Sequence, residues 1–247
     1  ADGLRVNASA ARSERDNRTS ALLAWPAVAA DLFVSPVARK NPAYSVKSTR
    51  LKLNADYRIT KAVTLAGGYD GEERIRSYLA ATTTREDTVW AKASGNVLDG
   101  VGLSLRVAHA DCQASAYGSV TYGPAVQNPL LRLPFLANRS RNTVGARVDW
   151  AIGENVSVAV HFDGFDDDYP DSALGLRAAR GASGGVELGW TVSEQTQVYV
   201  FAQDEQSRAR QRGSEAFAAA DWQGRTIDSA QVAGAGVRHV ALGGKLE

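Results

Sequence analysis

The chain has 247 residues, 44% of them hydrophobic, with 28 Lys and Arg against 27 Asp and Glu. A formal charge of +1 sets up no overall field that would draw the protein onto nucleic acid, so no nucleic-acid partner is expected. The longest apolar run, Ala21 to Ala30, has ten residues and contains Pro26, about half of the ~20 a spanning helix needs, which excludes helical membrane spans.

Cofactor chemistry is equally restricted. The single Cys112 cannot form an internal disulfide, a zinc cluster or an iron–sulfur site. No Cys-x-x-Cys-His is present for covalent haem, and His109, His161 and His239 lack metal-ligand spacing. No cofactor is therefore expected to be bound by this chain itself. The sequence opens at Ala1-Asp2-Gly3 on an alternating segment rather than an apolar leader, which reads as a mature chain or a piece of a longer one.

The informative signal is a period of two. Leu4, Val6, Ala8 and Ala10 alternate with Arg5, Asn7, Ser9 and Ala11. Leu51, Leu53, Ala55, Tyr57 and Ile59 alternate with Lys52, Asn54, Asp56 and Arg58, and Val63, Leu65, Gly67 and Tyr69 follow. Val101, Leu103, Leu105 and Val107 then face away from Gly102, Ser104 and Arg106. Val144, Ala146, Val148 and Trp150 oppose Arg147 and Asp149; Val156, Val158, Val160 and Phe162 oppose Ser157, His161 and Asp163. Val186, Leu188, Trp190 and Val192 oppose Glu187 and Thr191. Successive side chains on a strand point to opposite faces, so each stretch is a strand with one apolar and one polar face. Helical spacing is sustained nowhere, and the chain reads as all-β.

Strand length and loop length narrow the β class. The segments run about 9 to 12 residues, longer than the usual 5–6 of soluble sheets and matched to tilted membrane strands. Short connections are expected at Thr60-Lys61-Ala62, Gly95 to Gly100, Gly153-Glu154-Asn155, Ser193 to Thr196 and Ala241 to Gly244. Long ones are expected at Ser13 to Ala43, Gly71 to Thr84, Cys112 to Ser140, Gly164 to Arg180 and Ser207 to Thr226. Tight turns at one end and long loops at the other are the layout of an outer-membrane barrel. The expected architecture is a transmembrane antiparallel up-and-down β-barrel, with about ten strands visible and an eleventh beginning at Lys245-Leu246-Glu247. The whole chain then forms a single barrel segment, incomplete at both ends, since an unpaired edge cannot be satisfied in lipid.

Trp150, Trp190, Tyr57 and Tyr69 fall near strand ends, where an interfacial aromatic girdle would sit, although a sandwich core would accommodate them equally. Charges on the lipid face are costly at the midplane. Arg5, Lys52, Asp56, Arg58, Arg106, Arg147, Asp149, His161, Asp163 and Glu187 are accordingly expected to line the lumen and to contact whatever it holds. The alternation leaves the faces of Trp90 and Val232 open.

Seven stretches together resemble a known family. They are Tyr44–Ile59 (YSVKSTRLKLNADYRI), Leu65–Arg74 (LAGGYDGEER), Thr84–Lys92 (TREDTVWAK), Leu103–Asp111 (LSLRVAHAD), Asn128–Arg141 (NPLLRLPFLANRSR), Phe165–Leu176 (FDDDYPDSALGL) and Ile227–Arg238. In order and spacing they resemble the decahaem-associated outer-membrane barrel proteins of the MtrB/PioB type. The resemblance implies a segment of a large barrel that does no redox chemistry. Such a barrel encloses a periplasmic multihaem c-type cytochrome, which carries the haem, and presents it to an extracellular cytochrome at the long loops. The Cys-x-x-Cys that members often carry near the mature N-terminus is not among these residues.

Other candidates are weaker. Asp166, Asp167, Asp168 and Asp171 form an acidic loop of the ligand type calcium prefers, without the glycine and terminal glutamate of an EF-hand; the plain reading is a solvated loop turned by Pro170. A hydrolase would recruit His161 or His109 with a nearby Ser and Asp. Ser157, His161 and Asp163 share a strand face, but residues two apart project in parallel rather than converging, so no enzyme is expected. Cys112, at the start of a long loop, reads as a bystander. The loops holding Trp25, Pro26, Phe33, Pro36, Pro124, Pro129, Pro134 and Phe135 carry enough apolar surface to pack onto something. They could contact an extracellular cytochrome, fold over the barrel mouth, or pack on each other. Three functions follow: a cytochrome sheath in the outer membrane first, a passive porin-like channel second, a soluble β-sandwich binding module third.

Overall fold

The computed structural model describes residues 3–20, 24–25, 28–30, 33–35, 39–40, 42–118 and 128–240. Ten long strands carry the fold: β1 (Leu4–Arg15), β2 (Val46–Arg58), β3 (Val63–Arg76), β4 (Thr83–Leu98), β5 (Val101–Ala114), β6 (Arg139–Ile152), β7 (Val156–Asp168), β8 (Leu174–Ser193), β9 (Thr196–Gly213) and β10 (Trp222–His239). Each pairs antiparallel with its neighbour in sequence, so the sheet is an up-and-down meander. Leu131–Arg132 adds a short parallel bridge to the start of β8. Within the first long loop, Ala24–Trp25 pairs Arg39–Lys40 and Val28–Ala30 pairs Phe33–Ser35. The expected strand at Lys245-Leu246-Glu247, the turn at 241–244, and Pro26, Pro36 and Pro124 lie outside the described residues.

Turn chemistry fixes one end. Asp99-Gly100 joins β4 to β5 as a two-residue hairpin with Gly100 at φ +72, the left-handed conformation that such turns demand. This turn is tighter than the Gly95–Gly100 connection expected, because β4 continues to Leu98 through a bulge between Asn96 and Leu98. Gly153, at φ +64, opens the turn between β6 and β7.

The other end departs from expectation. Strands run 12 to 20 residues, because they continue into stretches read as loop. β3 reaches Arg76, β7 reaches Asp168, β8 begins at Leu174 and β9 reaches Gly213. The predicted acidic loop is therefore largely strand, with Asp166, Asp167 and Asp168 paired to Arg180, Ala179 and Ala178. Cys112 likewise sits inside β5.

Cross-strand pairing sorts every side chain onto one of two faces. One face carries Leu4 and Val6 on β1, Leu51 and Leu53 on β2, Leu65 on β3 and Val89 on β4. It continues through Leu105 and Val107, Val144 and Val148, Val158 and Val160, Val186 and Leu188, Val198 and Val200, and Val237. No second layer covers this band among the described residues: Leu4 is 58% exposed, Val107 54% and Leu188 43%. A soluble sandwich buries such a face against a partner sheet, so that reading is set aside. Tyr57, Trp150 and Trp190 lie on this face near the short-turn ends, and Phe162 and Tyr69 lie near its other margin.

The band runs obliquely to the hydrogen-bond rows. One row of directly opposed residues passes Tyr57, Leu65, Ala93, Leu105, Ala146, Phe162, Gly184, Asp204 and Gln231. It starts at the short-turn margin on β2 and has left the apolar band by Asp204 on β9. At about 4.8 Å between strands and 3.3 Å per residue, that climb is a strand tilt of roughly 30°, close to the 35–45° of outer-membrane barrels.

The small buried core lies above the sheet at the long-loop end. Ala80, Ala81 and Leu136 are at most 3% exposed, with Leu79, Ala114, Tyr117 and Leu133 packed around them. The 3-10 turn Pro134–Leu136 thus folds over the polar face of the sheet and against the loop at 77–82.

Candidate functional site: the polar face

The face opposite the apolar band holds the chemistry. Arg5, Lys52, Asp56, Arg58, Arg106, Arg147, Asp149, His161, Asp163 and Glu187 all fall on it, because each is offset by an odd number of residues from its strand's apolar set. Trp90 and Val232 fall there too, paired with Gly68 and Gln203.

Many of the charges compensate one another along the wall. Arg5 Nε donates to Asp56 Oδ2 at 3.3 Å, and Lys52 lies 4.0 Å from Asp70. Glu72 accepts from Ser48 Oγ at 2.8 Å, Arg50 Nε at 3.0 Å and Arg74 Nε at 2.8 Å. Arg147 Nη2 sits 2.7 Å from Asp149 Oδ1. Arg141 grips the buried carboxylate of Asp167 with two parallel bonds of 2.5 Å, its guanidinium 5.2 Å from the Phe165 ring. This bidentate geometry is the strongest an ion pair takes.

One group of cations is left over. Lys92 and Arg106 stand directly opposite each other, and neither has a carboxylate within 4.0 Å among the described residues. Arg106 rests over Trp90, 5.4 Å from its ring centre. On the outward side of the same strands lie Ala91, Ala93, Leu105 and Val107, so the two cations sit at the depth of the apolar band. With Arg147, His161, Asp163 and Glu205 they line a groove of about 680 Å³. Asp149 and Glu187 line an adjoining concavity of about 580 Å³, while Arg58 stays at the short-turn end.

A second regularity governs shape. Trp90 opposes Gly68, His161 opposes Gly185, Phe165 opposes Gly181, Phe201 opposes Gly234, Tyr199 opposes Gly236, and Trp222 opposes Gly213. A methyl group at Gly68 or Gly181 would meet the facing ring at 2.7 and 2.5 Å. Each large inward ring thus lies flat over a glycine of the next strand instead of projecting from the wall. The wall has low relief for its size.

The weaker candidates resolve differently. Asp166 and Asp168 lie on the apolar-band side of β7, Asp167 on the polar side is held by Arg141, and Asp171 accepts from Asn138. Alternation separates the four carboxylates, and no group of three metal-ligating residues converges among the described residues. No hydrogen bond joins His161 to Ser157 or Asp163 among the described residues; the imidazole lies over Gly185 and Ser157 over Gly189. His109 faces outward, bonded to Asn142 at 2.8 Å and Asp111 at 3.2 Å.

Lys92, Trp90, Arg141, Asp167 and Glu72 were not singled out from sequence as lumen contacts. Thr88, Trp90, Lys92 and Ser94 do alternate with Val89, Ala91 and Ala93, but an inward Trp and two alanines blur the contrast.

Over residues 1–247 the sequence matches the family described as outer membrane beta-barrel porin, MtrB/PioB. The chain belongs to the MtrB/PioB family. Outer membrane protein MtrB of Shewanella baltica (strain OS185) is 30% identical over 238 residues, covering 96% of this chain and 34% of that protein. The chain thus spans about a third of that relative's length. Among solved structures, the copper transporter OprC superposes with a TM-score of 0.65 at 8% identity, over 98% of this chain and 40% of that one. That likeness shows an outer-membrane barrel fold and nothing about copper. As an MtrB/PioB member the chain is an outer-membrane β-barrel wall, its apolar band toward lipid and its polar face inward.

Proposed function

We propose that this wall sheathes a multihaem c-type cytochrome and holds it at membrane depth for electron transfer across the outer membrane, the haem being carried by the guest. The observation that supports this best is the pair of opposed, uncompensated cations, Lys92 and Arg106, in a groove at the depth of the apolar band. Like charges directly opposite each other destabilise a sheet, and carboxylates on an enclosed protein would relieve them. The low-relief wall favours the same reading, since a folded guest seats more closely on a surface without projecting rings. The barrel wall would insulate and position, with no catalytic residue of its own. The long loops would meet an extracellular cytochrome.

One observation favours a second reading, a passive channel: the Pro134–Leu136 turn folds over the polar face, as a constriction loop would. Copurification separates the two. The full-length protein extracted in mild detergent should retain a haem-staining partner, and Lys92→Glu with Arg106→Glu should reduce that retention about tenfold or more. A barrel that comes out empty from cells making the cytochrome, and conducts ions in planar bilayers, would show the channel instead.

A further inference from the structure

Beyond the apolar band, the outward face of β8–β10 carries a cluster of arginines that the sheath does not use. Arg180 stands directly opposite Arg208, and Arg210 directly opposite Arg225. Arg212 extends the row on β9. None of the five has a carboxylate within 4.0 Å among the described residues; Arg208 donates to the Gln206 amide at 2.9 Å. Asp168, Arg177, Arg210, Arg212, Gln223 and Arg225 border a concavity of about 470 Å³, beside the register shift between Leu176 and Ala178. Arg177 is committed to the carbonyls of Pro170 and Ser172. Asp166 faces Arg180 across β7 and β8 and offsets that pair, but Arg210 and Arg225 have only Ala178 beyond them in their row, so this like-charged pair opposes strand pairing unless an anion bridges it.

Height selects the anion. Arg180 lies six residues beyond Val186, Arg210 eight beyond Ala202, and Arg225 eight before Ala233. For tilted strands that is roughly 15–20 Å above the band. The headgroup layer of a simple phospholipid adds only about 5–7 Å to the hydrocarbon on each side. A glycerophospholipid phosphate therefore falls short, whereas a phosphate on the saccharide core of an outer-leaflet glycolipid reaches. Long loops mark this end as the extracellular one.

We propose that this arginine cluster binds phosphate groups on the saccharide core of an outer-leaflet glycolipid. The inference uses only the outer-membrane placement and is independent of any enclosed guest. Arginine suits the task, since its fork of donors grips phosphate in pairs.

The test uses the full-length protein in detergent and three probes: a phosphorylated core oligosaccharide, the same oligosaccharide after phosphatase treatment, and inorganic phosphate alone. Wild-type protein should bind the first at least about tenfold more tightly than the second, and inorganic phosphate should displace it only at far higher concentration. Arg210→Gln with Arg225→Gln should lower glycolipid retained through purification, read by native mass spectrometry, about tenfold, while the double lysine variant loses less. Arg12→Gln, on the same face of β1, should change nothing. Heat-modifiable gel mobility shows whether each variant is folded, and the wild-type comparison needs no variant. Equal binding of the dephosphorylated core, full displacement by inorganic phosphate at equal concentration, unchanged retention by the glutamine variant, or retention of an acidic protein in place of glycolipid would each overturn the proposal.

Discussion

The consequences of single side chains are sharpest where charge is buried. Asp167 is 1% exposed, and Arg141 meets its side chain with two bonds. Asp167→Asn should cost about 2–3 kcal/mol, below the 3–5 of a fully enclosed pair because the Arg141 side chain is 35% exposed. Unfolding in urea from detergent micelles measures it, and adding Arg141→Met should recover most of the loss. Asp221, in the loop before β10, behaves differently. Backbone N–H groups of Ala216 and Glu215 and the Ser214 hydroxyl hold its carboxyl below the ordinary aspartate range. A depressed folded pKa means that its contribution is present above the unfolded value and is lost as pH falls through the folded one. Proteolysis within 214–221 should therefore stay slow down to pH about 4 and rise only in stronger acid, while Asp221→Asn should make it insensitive to pH.

At the scale of one strand, the two faces predict opposite responses to the same change. Leu53→Lys places a charge in the band and should cost about 2–4 kcal/mol, whereas Asn54→Lys, one residue away on the polar face opposite Asn7 and Gly68, should be nearly neutral. Refolding into lipid vesicles, followed by urea titration, compares the two. The same contrast explains what could be read beforehand. Val101 to Val107 and Val156 to Phe162 announced themselves because apolar and polar residues alternate there. The outer halves of β8 and β9, such as Leu176-Arg177-Ala178-Ala179-Arg180 and Arg208-Ala209-Arg210, stand in water on both sides, so no alternation marks them as strand. The charged inner face was legible for the same reason as the band. Its pairings were not, because Lys92 meets Arg106 only through a cross-strand register set by the Asp99-Gly100 turn and the bulge after Asn96. The acidic run misled because four carboxylates close in sequence suggest a loop, while in a strand alternate members turn away from one another.

For the molecule as a whole, the assignment of faces can be read optically. Single-tryptophan variants retaining Trp150 or Trp190 should be strongly quenched by brominated lipid acyl chains, and one retaining Trp90 should be quenched little. Equal quenching of all three would undo the inside and outside assigned to this wall. The strands also end at unequal heights. Past the edge of the apolar band, β1 and β2 continue five residues to Arg15 and Val46, while β8 to β10 continue eleven or twelve. The rim therefore steps upward by roughly 15 Å along this stretch. Along these ten strands the wall has a low flank and a high one, so a partner settling over β8–β10 meets a rigid ladder where one settling over β1–β2 meets the long connection between them.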